Sequence, residues 1–182
     1  ANTQLQQYFA FGYSFVHDRR DYVAYPLTGT EFTFNFNQFG LGIFDDINMT
    51  STRLGYGTFS QLSKKLYLAN RVDIYKNFSD EIPYLIRAGF GYNPDFIRGY
   101  ERYVIESDFL ASYRTALRYE VLKGVKQINP RSMIDQFRTL PYAFYLKVFL
   151  DTGYAGDSLA SNINNFYNNQ WIGSVGVGLD IV

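Results

Sequence analysis

Between Phe109 and Val121 the chain alternates almost without fault. Phe109, Ala111, Tyr113, Thr115, Leu117, Tyr119 and Val121 take one parity, and Leu110, Ser112, Arg114, Ala116, Arg118 and Glu120 the other. Side chains of a strand point to opposite faces in turn, so this period of two dictates an extended segment with one apolar face. The other face carries two arginines and a glutamate. On the lipid side of a barrel a midplane arginine costs about 2–4 kcal/mol, so that face has to look into water.

The same pattern recurs along the chain. From about Leu5 to Phe15, Leu5, Phe9, Phe11, Tyr13 and Phe15 oppose Gln6, Tyr8, Ala10, Gly12 and Ser14; then Phe32, Phe34 and Phe36 oppose Glu31, Thr33, Asn35 and Asn37. Leu54, Tyr56 and Thr58 begin a further strand. Leu66, Leu68, Val72 and Ile74 alternate with Tyr67, Arg71, Asp73 and Tyr75, and Pro83 to Tyr92 reads as a strand leading into a loop. Late in the chain, Tyr142, Phe144, Leu146, Val148 and Leu150 alternate with Ala143, Tyr145, Lys147, Phe149 and Asp151. Val175, Val177, Leu179 and Ile181 alternate with Ser174, Gly176, Gly178 and Asp180. Polar or turn-forming stretches separate these runs: Asp18 to Gly29, Asp45 to Thr52, Asn77 to Glu81, Gly124 to Thr139 and Ser161 to Gln170. The expectation is an all-β chain of about eight strands, a single domain over 1–182, with the charged faces inward and the ring-rich faces toward lipid.

Composition supports strands that serve more than one core. With 17 Tyr and 17 Phe, aromatic residues are 19% of 182 positions, more than a soluble core needs, and the rings near strand ends are expected in interfacial girdles. No run approaches the roughly 18 apolar residues of a membrane helix, and mean hydropathy is −0.20, which strands of about 9–11 alternating residues tolerate. A net charge of zero leaves no basic field for nucleic acid. Cysteine is absent and His17 is the single histidine, so neither a thiolate nor a histidine cluster is available for a metal, and no cofactor or enzymatic activity is expected. His17 beside Asp18 lacks a matching nucleophile. The start, Ala1-Asn2-Thr3-Gln4, carries no charged-then-apolar signal segment.

The best functional lead is Ile97-Arg98-Gly99-Tyr100, within a loop over 93–107. An arginine on a glycine hinge calls for an acidic partner, and Asp151 within Phe149-Leu150-Asp151-Thr152-Gly153 has inward parity. The plainer alternative is a solvated loop arginine. The Asp18-to-Asp21 run likewise reads as a solvated turn.

Taken in order, these landmarks resemble the Omp85 superfamily of outer-membrane barrels. Asp18-Arg19-Arg20-Asp21 with Pro26 and Gly29 is similar to its Asp-x-Arg-Asp…Pro-x-x-Gly turn, and Ile97-Arg98-Gly99-Tyr100 to its [Val/Ile]-Arg-Gly-[Phe/Tyr] loop motif. Phe149-Leu150-Asp151-Thr152-Gly153 is similar to its Phe-x-Asp-x-Gly strand, and Ser174 to Leu179 to its late glycine-rich strand. The resemblance implies a transmembrane antiparallel β-barrel of about sixteen strands, of which this chain supplies about the seventh through the fourteenth. POTRA domains and the terminal gate strands lie outside it. It implies a loop folded into the lumen, with Arg98 as latch cation, Gly99 as hinge, Tyr100 as packing ring and Asp151 as wall acceptor in the Phe149, Asp151, Gly153 motif. Relatives usually carry an acidic residue two positions before an arginine on the strand after the loop. Here Ala116 stands there, and Glu120 has the parity to serve as second acceptor.

The implied function is non-enzymatic insertion and assembly of outer-membrane proteins in the bacterial outer membrane. Its partners would be outer-membrane lipid and lipopolysaccharide, nascent outer-membrane proteins as substrates, and accessory subunits of an assembly complex. Alternatives are a related pore of the two-partner secretion type, or a small eight-stranded anchor or pore. A soluble β-sandwich is a weaker option, because too many strands carry rings for one core.

Overall fold

The computed structural model describes residues 7–42, 46–79, 87–92, 95–127, 139–156 and 167–182. Among these residues nine strands follow one another: β1 (Ala10–Asp18), β2 (Gly29–Phe39), β3 (Met49–Ser63), β4 (Leu66–Asn77), β5 (Ala88–Phe90), β6 (Ile105–Ser107), β7 (Phe109–Gln127), β8 (Thr139–Gly156) and β9 (Trp171–Ile181). Seven of them form one sheet in the order β1-β2-β3-β4-β7-β8-β9, and β5 pairs with β6 in a separate two-stranded ribbon. Every pairing is antiparallel. The chain is thus all-β, and among the described residues the sheet does not close on itself.

Two sequence expectations shift. The first strand runs from Ala10 rather than from about Leu5, and Leu5 and Gln6 lie outside the described residues. Of the stretch from Pro83 to Tyr92, residues 83–86 lie outside the described residues, and the strand Ala88–Phe90 pairs with Ile105–Ser107 at the base of the loop rather than with the main sheet. An apolar run of that length carries no mark of which partner it will find. The main sheet therefore has seven strands where about eight were expected.

Side-chain parity follows the alternation in every long strand. Phe11, Tyr13 and Phe15 of β1 meet Phe36, Phe34 and Phe32 of β2 as ring pairs with centroids 6.2–6.5 Å apart on the convex face. That face continues through Leu54, Tyr56, Val72, Leu117, Leu146 and Val148 to β9, where Val175 is 76% and Val177 75% exposed. Monomeric soluble proteins rarely leave an apolar patch beyond a few hundred Å² uncovered, and this one crosses all seven strands.

Among the described residues the concave face holds two buried clusters at opposite ends. One gathers Tyr75, Phe90, Ile97, Ile105, Leu110, Ala155 and Ile172; the other, Tyr67, Ala143 and Tyr145 with Tyr25 and Leu27 against them. Each cluster forms because a connection folds back over the sheet. The β4–β7 connection covers the first, and the turn between β1 and β2 covers the second. Tyr25 in that turn donates to Asp180 on β9 at 2.9 Å, so the first hairpin reaches the last strand across the hollow of a curved sheet.

The β3–β4 hairpin turns tightly at Lys64-Lys65, with bulges between Gln61 and Ser63 and, on β7, between Glu120 and Leu122. Tyr119 pairs with Leu66 at the start of β4 and Glu120 N–H donates to Lys65 O at 2.8 Å; beyond that point β7 continues paired to β8 alone.

Candidate functional site

The Arg-Gly-Tyr loop is held by its base and its middle. The β5–β6 ribbon fixes the base. Next to it, Gly91 N–H donates to Asp95 O at 2.8 Å, and the Asp95 carboxylate takes the Arg53 guanidinium of β3 at 2.6 Å. In the middle, Ile97 is fully buried against Phe90, Ile105 and Ile172, so an apolar side chain drives the loop down onto the concave face. The contact is close: a Cβ on Gly153 of β8 would stand 2.9 Å from Ile97 Cδ1, so only glycine admits the loop at this depth. Turns follow, with Tyr100 N–H to Ile97 O at 2.9 Å and Tyr103 N–H to Tyr100 O at 3.0 Å. Gly99 takes φ +86°, a left-handed conformation that favours glycine, and its N–H donates to Glu101 at 2.9 Å.

With Ile97 seated, Arg98 lies over the inner wall. Its Nε donates to Asp151 Oδ2 at 2.6 Å and its Nη2 to Oδ1 at 2.5 Å, a bidentate fork, with the backbone N–H of Arg98 at 3.4 Å from the same carboxylate. The Asp151 side chain is 0% exposed and that of Arg98 25%. Phe149 lies under the guanidinium, 3.8 Å from Arg98 Cζ to the ring centroid, which adds a cation–π contact. Room for that ring comes from β9, because a Cβ on Gly176 would stand 2.6 Å from Phe149 Cζ. Tyr100 closes the top with Tyr103 and Tyr167, at centroid distances of 5.1–6.2 Å.

The structure thus brings Ile97, Arg98, Gly99 and Tyr100 together with Phe149, Asp151 and Gly153. It does not bring Glu120 there. In the β7–β8 register Arg114 faces Asp151 and Glu120 faces Tyr145, so Glu120 stands six residues further along β7, roughly 20 Å at about 3.3 Å per residue. Glu120 acts on Tyr145 at the opposite cluster. Parity states which face a residue takes and says nothing of its height, so the assignment of Glu120 as a second acceptor is corrected. Ala116, beside Phe149 in the register, offers no carboxylate in its place.

Sequence reading also missed a belt of ion pairs along the inner wall. Glu31 on β2 takes Arg20 at 3.2 Å and Arg71 at 2.6 Å; Asp73 on β4 takes Arg71 at 2.9 Å and Arg114 of β7 at 2.7 Å. Lys147 and Asp180 continue it across β8 and β9 at 2.5 Å. The inward parity of these residues is visible in the sequence, but their pairing depends on register. The turn at Asp18 to Asp21 is only partly the solvated turn expected. Arg20 bends inward, bonding Asp18 at 2.7 Å as well as Glu31, while Asp21 accepts the N–H groups of Tyr22 and Leu27 at 2.9 and 3.0 Å. Burial pushes the Tyr25 phenol up, and its bond to Asp180 adds to the shift.

Among the described residues, no group of three or more His, Asp or Glu is gathered as a metal would require. No family model matches this chain, and no curated protein matches it closely enough to name as a relative.

Proposed function

We propose that this chain is part of a larger outer-membrane barrel of the Omp85 type, in which the Arg98 loop is an internal brace and the barrel inserts and assembles outer-membrane proteins. The observation that carries the reading is the buried fork between Arg98 and Asp151 inside a curved antiparallel sheet. The convex apolar face supports it, since that face suits lipid and the ion-pair belt on the opposite face suits a wet lumen. Parity of strand number supports it too. With seven strands in sequence, β1 and β9 run parallel, so edge-to-edge closure would form a parallel pair, whereas single-chain bacterial barrels close with an even number of antiparallel strands. Further strands beside both edges satisfy the backbone groups that an edge cannot leave bare in lipid.

On this reading no bond is made or broken. Gate strands beyond this chain lend backbone edges to nascent barrel strands, the apolar convex face thins the membrane beside them, lipid and lipopolysaccharide surround that face, and accessory subunits bind outside it. Arg98 keeps the loop in the lumen and the wall in one curvature while strands are exchanged. The test is insertion of an unfolded eight-stranded outer-membrane protein into proteoliposomes holding the full-length protein. Arg98→Ala is expected to slow insertion by about tenfold or more while strand content by circular dichroism stays unchanged. An insertion rate equal to wild type sinks the brace.

A further inference from the structure

Beside the Arg98 fork the concave face has a cavity of ≈ 180 Å³ lined by Arg71, Arg98, Arg114, Arg118 and Lys147. Ala69 and Ala116, cross-strand partners of β4 and β7, form its floor, and their small side chains leave the space open. Among the described residues no carboxylate lines it. The acids that neutralise these cations lie around it: Glu31 and Asp73 on Arg71, Asp73 on Arg114, Asp151 on Arg98 and Asp180 on Lys147.

Arg118 differs from the others. Its Nη1 donates to the Pro26 carbonyl at 2.7 Å and its guanidinium lies 4.3 Å from the Tyr25 ring, but among the described residues it has no carboxylate. The Nε–H groups of both Arg114 and Arg118 are buried and bond to nothing among the described residues. A buried charged donor without an acceptor costs more than the typical net value of a hydrogen bond, so two of them at one cavity mark a place for an acceptor from outside the chain.

We infer that this cavity binds a small tetrahedral oxyanion of the phosphate or sulfate class, held between Arg114 and Arg118. The volume is several times the ≈ 30 Å³ share of one water, enough for such an ion with part of its hydration. Guanidinium N–H forks match its oxygens. The ion is free in solution rather than a lipid headgroup, because the cavity opens on the face opposite the apolar one. That choice of source alone rests on the barrel reading; the cavity and its unmatched donors do not.

The experiment is calorimetric titration of inorganic phosphate into the full-length protein in uncharged detergent micelles, with ionic strength held constant by chloride. Saturable one-site binding is expected. Arg118→Gln and Ala116→Glu should each weaken it by about tenfold or more, the second by placing a carboxylate among the guanidinium groups while every hydrogen bond of Arg118 is retained. No saturable heat in the wild-type protein, or wild-type affinity in a folded Ala116→Glu variant, overturns the site. Should both variants fail to fold, the wild-type Nε–H resonances of Arg114 and Arg118 decide: both are expected to move with phosphate, and their constancy overturns the proposal. Phosphatidylglycerol doped into the micelles is expected to leave phosphate affinity unchanged; competition would assign the site to headgroups. Membrane insertion, measured separately, tests the barrel reading without touching this one.

Discussion

At the scale of single residues the Arg98–Asp151 pair is unequal, and the inequality has consequences. Asp151 is enclosed at 0% side-chain exposure, held by two guanidinium bonds, while Arg98 keeps 25% of its side chain in reach of water. Removing the arginine strands a buried charge; removing the carboxylate leaves a cation that can swing outward over Phe149. Arg98→Ala is therefore expected to destabilise by about 3–5 kcal/mol, the cost of breaking a buried pair, and Asp151→Ala by less. Urea unfolding in micelles gives both values, and the reverse ranking would show that the fork does not control this region. The partnership was legible in the sequence because each residue sits in a short motif of distinctive chemistry and Asp151 has inward parity. The supporting glycines were less so: that Gly153 admits Ile97 and Gly176 admits Phe149 depends on contacts between residues far apart in sequence.

At the scale of elements, two connections fold inward, and only one was foreseen. The loop over 93–107 carries a hydrophobic anchor, Ile97, next to its motif, whereas the β1–β2 turn reads as charged and solvated because Asp18, Arg19, Arg20 and Asp21 lead it. Its inward half is the less conspicuous Tyr25-Pro26-Leu27, which caps Tyr67, Ala143 and Tyr145. Asp21 organises that turn. Burial pushes its carboxyl up, but backbone hydrogen bonds from Thr28, Leu27 and Tyr22 outweigh burial and hold it below the ordinary carboxylate value. A carboxyl whose folded value is lowered stabilises the fold above its unfolded value, near 3.8, and that contribution is lost as pH falls through the folded value. Protection of the Leu27 amide against hydrogen exchange, corrected for intrinsic rate, should thus decline below about pH 4 in the wild type. In Asp21→Asn, whose side-chain oxygen cannot titrate, it should be flat over the same range; equal slopes would place the acid-sensitive group elsewhere. The β5 segment was misassigned for a related reason, since its pairing with β6 across the loop is a choice between partners that alternation does not encode.

At the scale of the whole molecule, alternation fixes two faces in every strand, but nothing in it fixes how many strands share a sheet. The number enters through direction. A seventh strand runs the same way as the first, so β1 and β9 can each be satisfied by an antiparallel neighbour only if other strands stand beside them. The Tyr25–Asp180 bond limits how flat the sheet can be, yet it bridges through a side chain from the turn and leaves both backbone edges clear among the described residues. These 182 residues hold no cysteine, so once any cysteine elsewhere in the protein is replaced the geometry is directly measurable. Cysteines placed at Tyr56 and Val72, register partners on β3 and β4, should cross-link rapidly under mild oxidation in the full-length protein in membranes. Cysteines at Phe15 on β1 and Val175 on β9 should stay reduced under the same conditions, because the proposed larger barrel places other strands between them. Rapid cross-linking of the second pair would mean that β1 lies against β9, which closes a small barrel through a parallel seam and removes the larger barrel on which the insertion reading depends.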